Sequence, residues 1–193
     1  MKFKNKNSEK GITLVEIMVA IAIITLFSMI LIADYPKIKR QFALSRAVYK
    51  FAQDLRKTQD LGLSGVQLKN GAGNMVNAKG YGIYINLPAS KQYTIYADTY
   101  VPTDYMYTSG DYIIEIIDIS KEEPGVFISG IKSGINNISN NWTSINFNPP
   151  NPYTTIENLN PGQNSIEIVF ALSVDPLITR AVSINTSGLI EVK

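Results

Sequence analysis

Carboxylates are the main chemical resource of this chain, because it contains no cysteine and no histidine. Disulfides, thiolate zinc sites, redox motifs and a histidine general base are therefore excluded. Asp98, Asp104 and Asp111 fall in a tyrosine-rich stretch, YADTYVPTDYMYTSGD, where carboxylates beside loop oxygens could hold calcium. Their spacing matches no calcium loop, so we read them as solvated loop charges. Glu115, Asp118, Glu122 and Glu123 offer enough acids for the carboxylate pair of glycoside hydrolysis. Acids at strand edges more commonly oppose edge-to-edge pairing. No catalytic residue, metal or cofactor is assigned, and the chain does not read as an enzyme. The most informative acid stands alone. Glu16 is the one charge in the 22 residues 12–33, which are otherwise mostly Ile, Leu, Val, Met, Ala and Phe.

Other candidates carry weaker signals. The segment 69–80, KNGAGNMVNAKG, contains Gly71-x-Gly73 but lacks a third glycine, a Lys-Ser/Thr pair and a preceding strand. It reads as a mobile loop, not a phosphate cradle. Tyr96, Tyr100, Tyr105 and Tyr107 could form a partner or glycan surface, against which packing within sheet and loops is the plainer expectation. The sequons at Asn137, Asn141 and Asn185 read as chance matches in an asparagine-rich chain.

The element that must position Glu16 is the apolar run itself. At about 1.5 Å per residue, a helix over 12–33 spans roughly 33 Å, enough for the hydrocarbon of a bilayer. A carboxylate at that depth costs roughly 2.5–3.5 kcal/mol on insertion scales, which makes it a functional candidate by default. The run is too long for the apolar core of a secretory signal and is followed by no small-residue cleavage site. An ordinary single-span anchor explains its length but neither Glu16 nor Gly11. The leader MKFKNKNSEKG carries four lysines and one glutamate. Those lysines should hold the N-terminus in the cytoplasm. Net charge is +2 for the whole chain and about −1 without the leader, so nothing in it favours nucleic acid.

The order of basic leader, Gly11, apolar residue, Glu16 four positions on and continuous apolar helix closely resembles the class III signal of type IV prepilins and type II secretion pseudopilins. The resemblance implies cleavage after Gly11 by a membrane-bound prepilin peptidase and N-methylation of the new first residue, Ile12. Glu16, the fifth residue of the mature chain, is then the assembly residue, pairing with the methylated amine of Ile12 on a neighbouring subunit. Ile12 stands where the family usually has phenylalanine. The first proline, Pro36, comes a few residues later than the family's usual one. Further partners implied are other pilin or pseudopilin subunits, an inner-membrane assembly platform and membrane lipid.

Beyond the membrane segment, Asp34-Tyr35-Pro36 breaks the apolar run, and Pro36 can kink the helix or start a new turn. Leu44, Val48, Phe51, Ala52 and Leu55 then recur at helical spacing with charged residues between them. We expect one helix over about 13–61, stopped by the glycines at 62 and 65, with this stripe beneath a sheet. After residue 80 the period becomes two. Strands are expected at 81–86, 92–97, 112–119, 126–131, 143–147, 165–172, 181–185 and 189–192, with no later helix. The last two form a hairpin across 186–188, while 148–152 and 160–162 are turns or exposed loop. With about 130 residues beyond the leader and the long helix, and 11 tyrosines, this is one strand-rich exported domain.

The expected fold is α+β and pilin-like: a long N-terminal helix, its first half transmembrane, packed on an antiparallel sheet or sandwich. The segments 43–65 and 183–192 resemble minor pseudopilins in pattern. The expected organisation is a leader at 1–11, a transmembrane or filament-core helix at 12–35 and an extracytoplasmic domain at 36–193, with an amphipathic helix at 36–61 and strands over 81–193. The expected location is the cytoplasmic membrane, single-pass with the C-terminal domain outside, then a surface or periplasmic filament. The role implied is a structural subunit, a minor pilin or pseudopilin. The rival class is a membrane-anchored binding module or adhesin that uses the helix only as a tether.

Overall fold

A computed structural model describes residues 11–69, 73–76, 78–87, 91–99, 105–149 and 153–193. Residues 1–10, 70–72, 77, 88–90, 100–104 (with Tyr100 and Asp104) and 150–152 lie outside the described residues.

One helix, α1, runs over Leu14–Ser64. It ends three residues beyond the expected stop. Gly65 follows with φ +58°, the left-handed conformation that closes helices and that glycine adopts without strain. Gly62 serves a different purpose from the stop expected of it. A Cβ there would lie 2.6 Å from the Phe147 carbonyl oxygen and 2.8 Å from its Cβ, so the missing side chain lets helix and sheet touch. Pro36 lies inside α1 and does not end it. The helix has one backbone donor fewer at that point.

The chain divides between Lys39 and Arg40 into two compact units. In the second, two five-stranded antiparallel sheets share one core. Sheet I has the order β5-β4-β3-β8-β9, built from β3 (Gly80–Asn86), β4 (Gln92–Asp98), β5 (Tyr112–Asp118), β8 (Trp142–Asn148) and β9 (Tyr153–Ile156). Sheet II has the order β12-β11-β10-β6-β7, from β6 (Val126–Ser133), β7 (Asn136–Asn137), β10 (Ser165–Leu172), β11 (Thr179–Asn185) and β12 (Ile190–Val192). The hairpins pair Ile83 with Ile95 and Ile184 with Ile190, in the antiparallel sense expected. Asn160-Pro161-Gly162 closes a turn by Gln163 N donating to Asn160 O, with Gly162 at φ +77°.

The expected helical stripe is the centre of the core. Leu44, Val48, Phe51, Ala52 and Leu55 are all buried, in one cluster with residues of both sheets. Phe51 joins the layers: its ring meets Tyr93 of β4 edge-on at 5.0 Å and Phe170 of β10 at 5.4 Å.

Three expectations are corrected. The 69–80 segment was expected to be loop, but Leu68–Lys69 (β1) pairs with Met75–Val76 (β2) at its base. Two strands, β7 and β9, were not anticipated. A later helix does exist: α2, Ile119–Glu122, replaces the end of the strand expected at 112–119. Asp118 is its cap, accepting from Ser120 N at 3.0 Å, and this capping turns the chain out of the sheet.

Candidate functional site

Gly11 and Ile12 precede α1 as non-helical, exposed backbone. Nothing lies within 4 Å of where a Gly11 Cβ would stand, and Ile12 is 74% exposed. The helix begins immediately afterwards, with Thr13 as its cap. Thr13 Oγ1 accepts from the Glu16 backbone N–H at 3.2 Å, and the Thr13 carbonyl accepts from Ile17 N. Thr13-x-x-Glu16 is thus placed as in a capping box, which occupies an amide at the helix start. This feature was missed in the sequence, although the Thr-x-x-Glu spacing before an apolar run is its signal. Glu16 is exposed in the first turn, where the helix dipole favours an anion.

From Leu14 through Ile32 the large apolar side chains are all at least half exposed. By length and composition, this part of α1 is apolar enough to cross a membrane. The two hydroxyls further along are satisfied by the helix itself. Thr25 Oγ1 donates to the carbonyls of Ile21 and Ala22 at 2.9 Å, and Ser28 Oγ donates to that of Ile24 at 2.8 Å. Such back-bonding leaves neither hydroxyl in need of water, which suits an apolar surrounding. Over 17–33 the helix therefore offers lipid or neighbouring helices a surface with no unmet polar group on its side chains. Glu16 is the exception.

The other candidate acids are spent on structure. Asp98 is buried at the end of β4, where it faces Gly80 of β3 in the ladder. The Asp111 carboxylate accepts from the backbone N–H groups of Thr99 (2.9 Å) and Thr108 (2.7 Å), fastening the loop that leads into β5. Among the described residues, no three acids gather into a group able to hold a metal. Asp118 caps α2, and its bonds from Ser120 hold its carboxyl below the usual value. Glu123 accepts from Arg46 Nε and a terminal nitrogen at 2.5 and 2.7 Å, and Glu122 lies 3.6 Å from Lys50. These acids clamp α2 to α1. Glu115 stands exposed on β5, an edge strand, as expected for an acid that discourages pairing.

The tyrosines divide. Tyr96 is fully buried with its hydroxyl 2.5 Å from Ser144 Oγ, and burial pushes its phenol up. Tyr107 stacks on Tyr84 at 4.4 Å and meets Tyr96 edge-on at 5.2 Å. Packing within sheet and loop accounts for both. Tyr105 is 44% exposed and has a φ of +57°.

The stretch that holds Gly11, Ile12, Glu16 and most of the apolar surface beyond them is also the stretch matched in a comparison with known families. A family model described as the prokaryotic N-terminal methylation motif matches residues 6–32. The chain carries the signature of type IV pilins and pseudopilins. The methylation motif implies processing by prepilin peptidase and other pilin subunits as company. With the apolar helix, it indicates membrane anchoring of a C-terminal domain. It is a structural motif and not that of an enzyme family. The comparisons with curated proteins and with solved structures find no match.

Proposed function

We infer that this protein is a structural subunit, a minor pilin or pseudopilin, of a type IV pilus or type II secretion-type filament. The observation that carries the reading is the helix start: the match at 6–32 coincides with an exposed apolar surface interrupted by one carboxylate. In this reading residues 1–11 are a leader removed by prepilin peptidase after Gly11, and Ile12 becomes the N-methylated first residue. The segment 12–35 is held in the cytoplasmic membrane, with the domain 36–193 outside. On assembly, neighbouring helices replace lipid around it. Glu16 pairs with the Ile12 amine of an adjacent subunit and sets the register, a role in which a buried charge specifies geometry more than it adds stability. The assembly platform of the inner membrane is the partner that would extract the helix.

Mass analysis of the mature protein's N-terminus is the test. A first residue of N-methylated Ile12 supports the reading. An intact leader would instead leave a tethered module outside the membrane, as the adhesin class requires.

A further inference from the structure

The turn between β10 and β11, residues 173–178, presents two apolar side chains to solvent: Leu177 is 92% exposed and Val174 68%. The turn is firmly built. Ser173 donates through N and Oγ to the Gly125 carbonyl at 2.8 and 3.1 Å. Ile178 N donates to the Asp175 carbonyl at 3.0 Å, and Leu177 N to the Asp175 carboxylate at 3.3 Å. Its one acid is thus engaged within the turn, while Val174 and Leu177 are held outward. An exposed apolar pair on a braced turn points to a surface that is covered in use.

The position of the turn within the second unit says what covers it. Gly125, its anchor, lies two residues beyond Glu123, which grips Arg46. Arg46 is six residues from Arg40, where the chain enters this unit. The opposite end holds the β11–β12 turn, whose Gly188 carbonyl accepts from Gln59. It also holds the β6–β7 turn, because β6 and β10 are antiparallel with Val126 beside Leu172. The 173–178 turn and the point of chain entry therefore share one end. Seven Cα-to-Cα steps lead from Ala33, the last of the apolar run, to Arg40. They reach at most about 25 Å when extended and about 10 Å when helical. A bilayer that holds the apolar run is within that reach.

We propose that the 173–178 turn is a second membrane contact of the unassembled subunit, seating Val174 and Leu177 at the boundary between lipid headgroups and acyl chains. Exposed Arg180 flanks it at the same end, placed to meet lipid phosphates, and Lys121, 3.7 Å from Asp118, keeps its side chain 82% exposed there. The contact fixes one face of the domain toward the membrane before extraction. It rests on the membrane reading of residues 12–33.

The absence of native cysteine allows a direct test. Full-length Leu177→Cys, Ile135→Cys and Ile24→Cys are each labelled with a polarity-sensitive fluorophore. They are then placed in phosphatidylcholine–phosphatidylglycerol vesicles containing spin-labelled lipid. Ile135 is 95% exposed and sits at the far end, so it controls for the stickiness of the dye. The labels at 24 and 177 should emit blue-shifted light and be quenched by lipid at least twofold more than the label at 135. Lipid quenching at 24 with solvent-like emission and iodide quenching at 177 overturns the contact alone. Failure of lipid quenching at 24 overturns the anchoring and the contact with it.

Discussion

The phenol of Tyr93 donates its proton to the carboxylate of Asp54, a buried bond that ties β4 to the middle of α1. Asp54 is only 8% exposed, and its other neighbour is Lys50 Nζ at 3.4 Å. The same Tyr93 ring packs edge-on against Phe51, so one residue serves the apolar and the polar contact between helix and sheet. Tyr93→Phe keeps the ring and removes the donor, leaving a buried carboxylate with less to satisfy it. The expected loss is about 1–3 kcal/mol, or a melting temperature lower by a few degrees per kcal/mol. Thermal denaturation in detergent measures it. An unchanged melt would show that the bond contributes nothing net.

Alkaline pH should act on the same residue. Burial first, then the bond to Asp54, pushes the Tyr93 phenol far above its ordinary value, and burial raises Tyr96 as well. A raised value in the folded state means that stability is fully present below the unfolded value, near pH 10, and is lost as pH climbs beyond it. Each such phenol should cost about 1.4 kcal/mol per pH unit above that point. The melting temperature should therefore hold level from pH 7 to 9 and fall above 10, with a shallower fall in Tyr93→Phe. Parallel slopes for the two proteins would refute the assignment to Tyr93.

What the sequence made legible follows from period. Five apolar positions between 44 and 55 share one helical face, and all are buried, because burying that face is the only way to remove it from water. Alternation likewise exposed the cores of β3, β4 and β10. The pairs β1–β2 and β6–β7 were not legible, because β1, β2 and β7 are two residues each and carry no period, although their partners lie only three to eight positions away. α2 was hidden because Ile116-Ile117-Asp118-Ile119 reads as strand until the Asp118 side chain is seen to cap a turn. Gly62 was recognised as a helix-breaking residue, but its true neighbour, Phe147, is 85 positions away. At the candidate site, Gly11, Ile12 and Glu16 are proposed from motif spacing, and they stand at and just before the start of α1. Thr13 was overlooked because an apolar run draws attention away from its cap.

The second unit should fold without the apolar segment. A fragment over 39–193 retains the buried stripe from Ala43 to Leu55, the Arg46–Glu123 pair and both sheets. Circular dichroism should show a soluble, strand-rich protein with one cooperative melt. A mainly helical or unfolded spectrum would mean that the sheets depend on residues 12–38.

Processing should depend on Gly11. Gly11 brings no side chain to the backbone just ahead of Ile12, and a branched one at that position would obstruct a peptidase that must grip the chain there. Gly11→Val should leave a full-length precursor in the membrane, visible as slower migration on a gel. Since no described residue beyond its chain neighbours lies within 4 Å of a Cβ at this position, misfolding would not account for that result. Wild-type maturation of the variant would defeat the proposed cleavage site.

Glu16 separates a filament subunit from a tether. Its carboxylate is the one charge between Ile12 and Ala33, and lipid disfavours it. A pure anchor should therefore work at least as well with leucine. Glu16→Leu keeps the bond that Thr13 Oγ1 accepts, which comes from the backbone N–H of residue 16, and gives up at the helix start only the carboxylate's interaction with the dipole. Glu16→Leu should insert and be cleaved as the wild type is, yet be depleted at least tenfold from sheared filaments, and raising its expression should not restore it. Thr13→Ala, which costs the helix start about 1 kcal/mol but spares the carboxylate, should incorporate normally. Equal incorporation of Glu16→Leu and wild type would make the residue a tolerated passenger and remove the physical basis for register by charge. Depletion of both variants would instead assign the defect to the helix start.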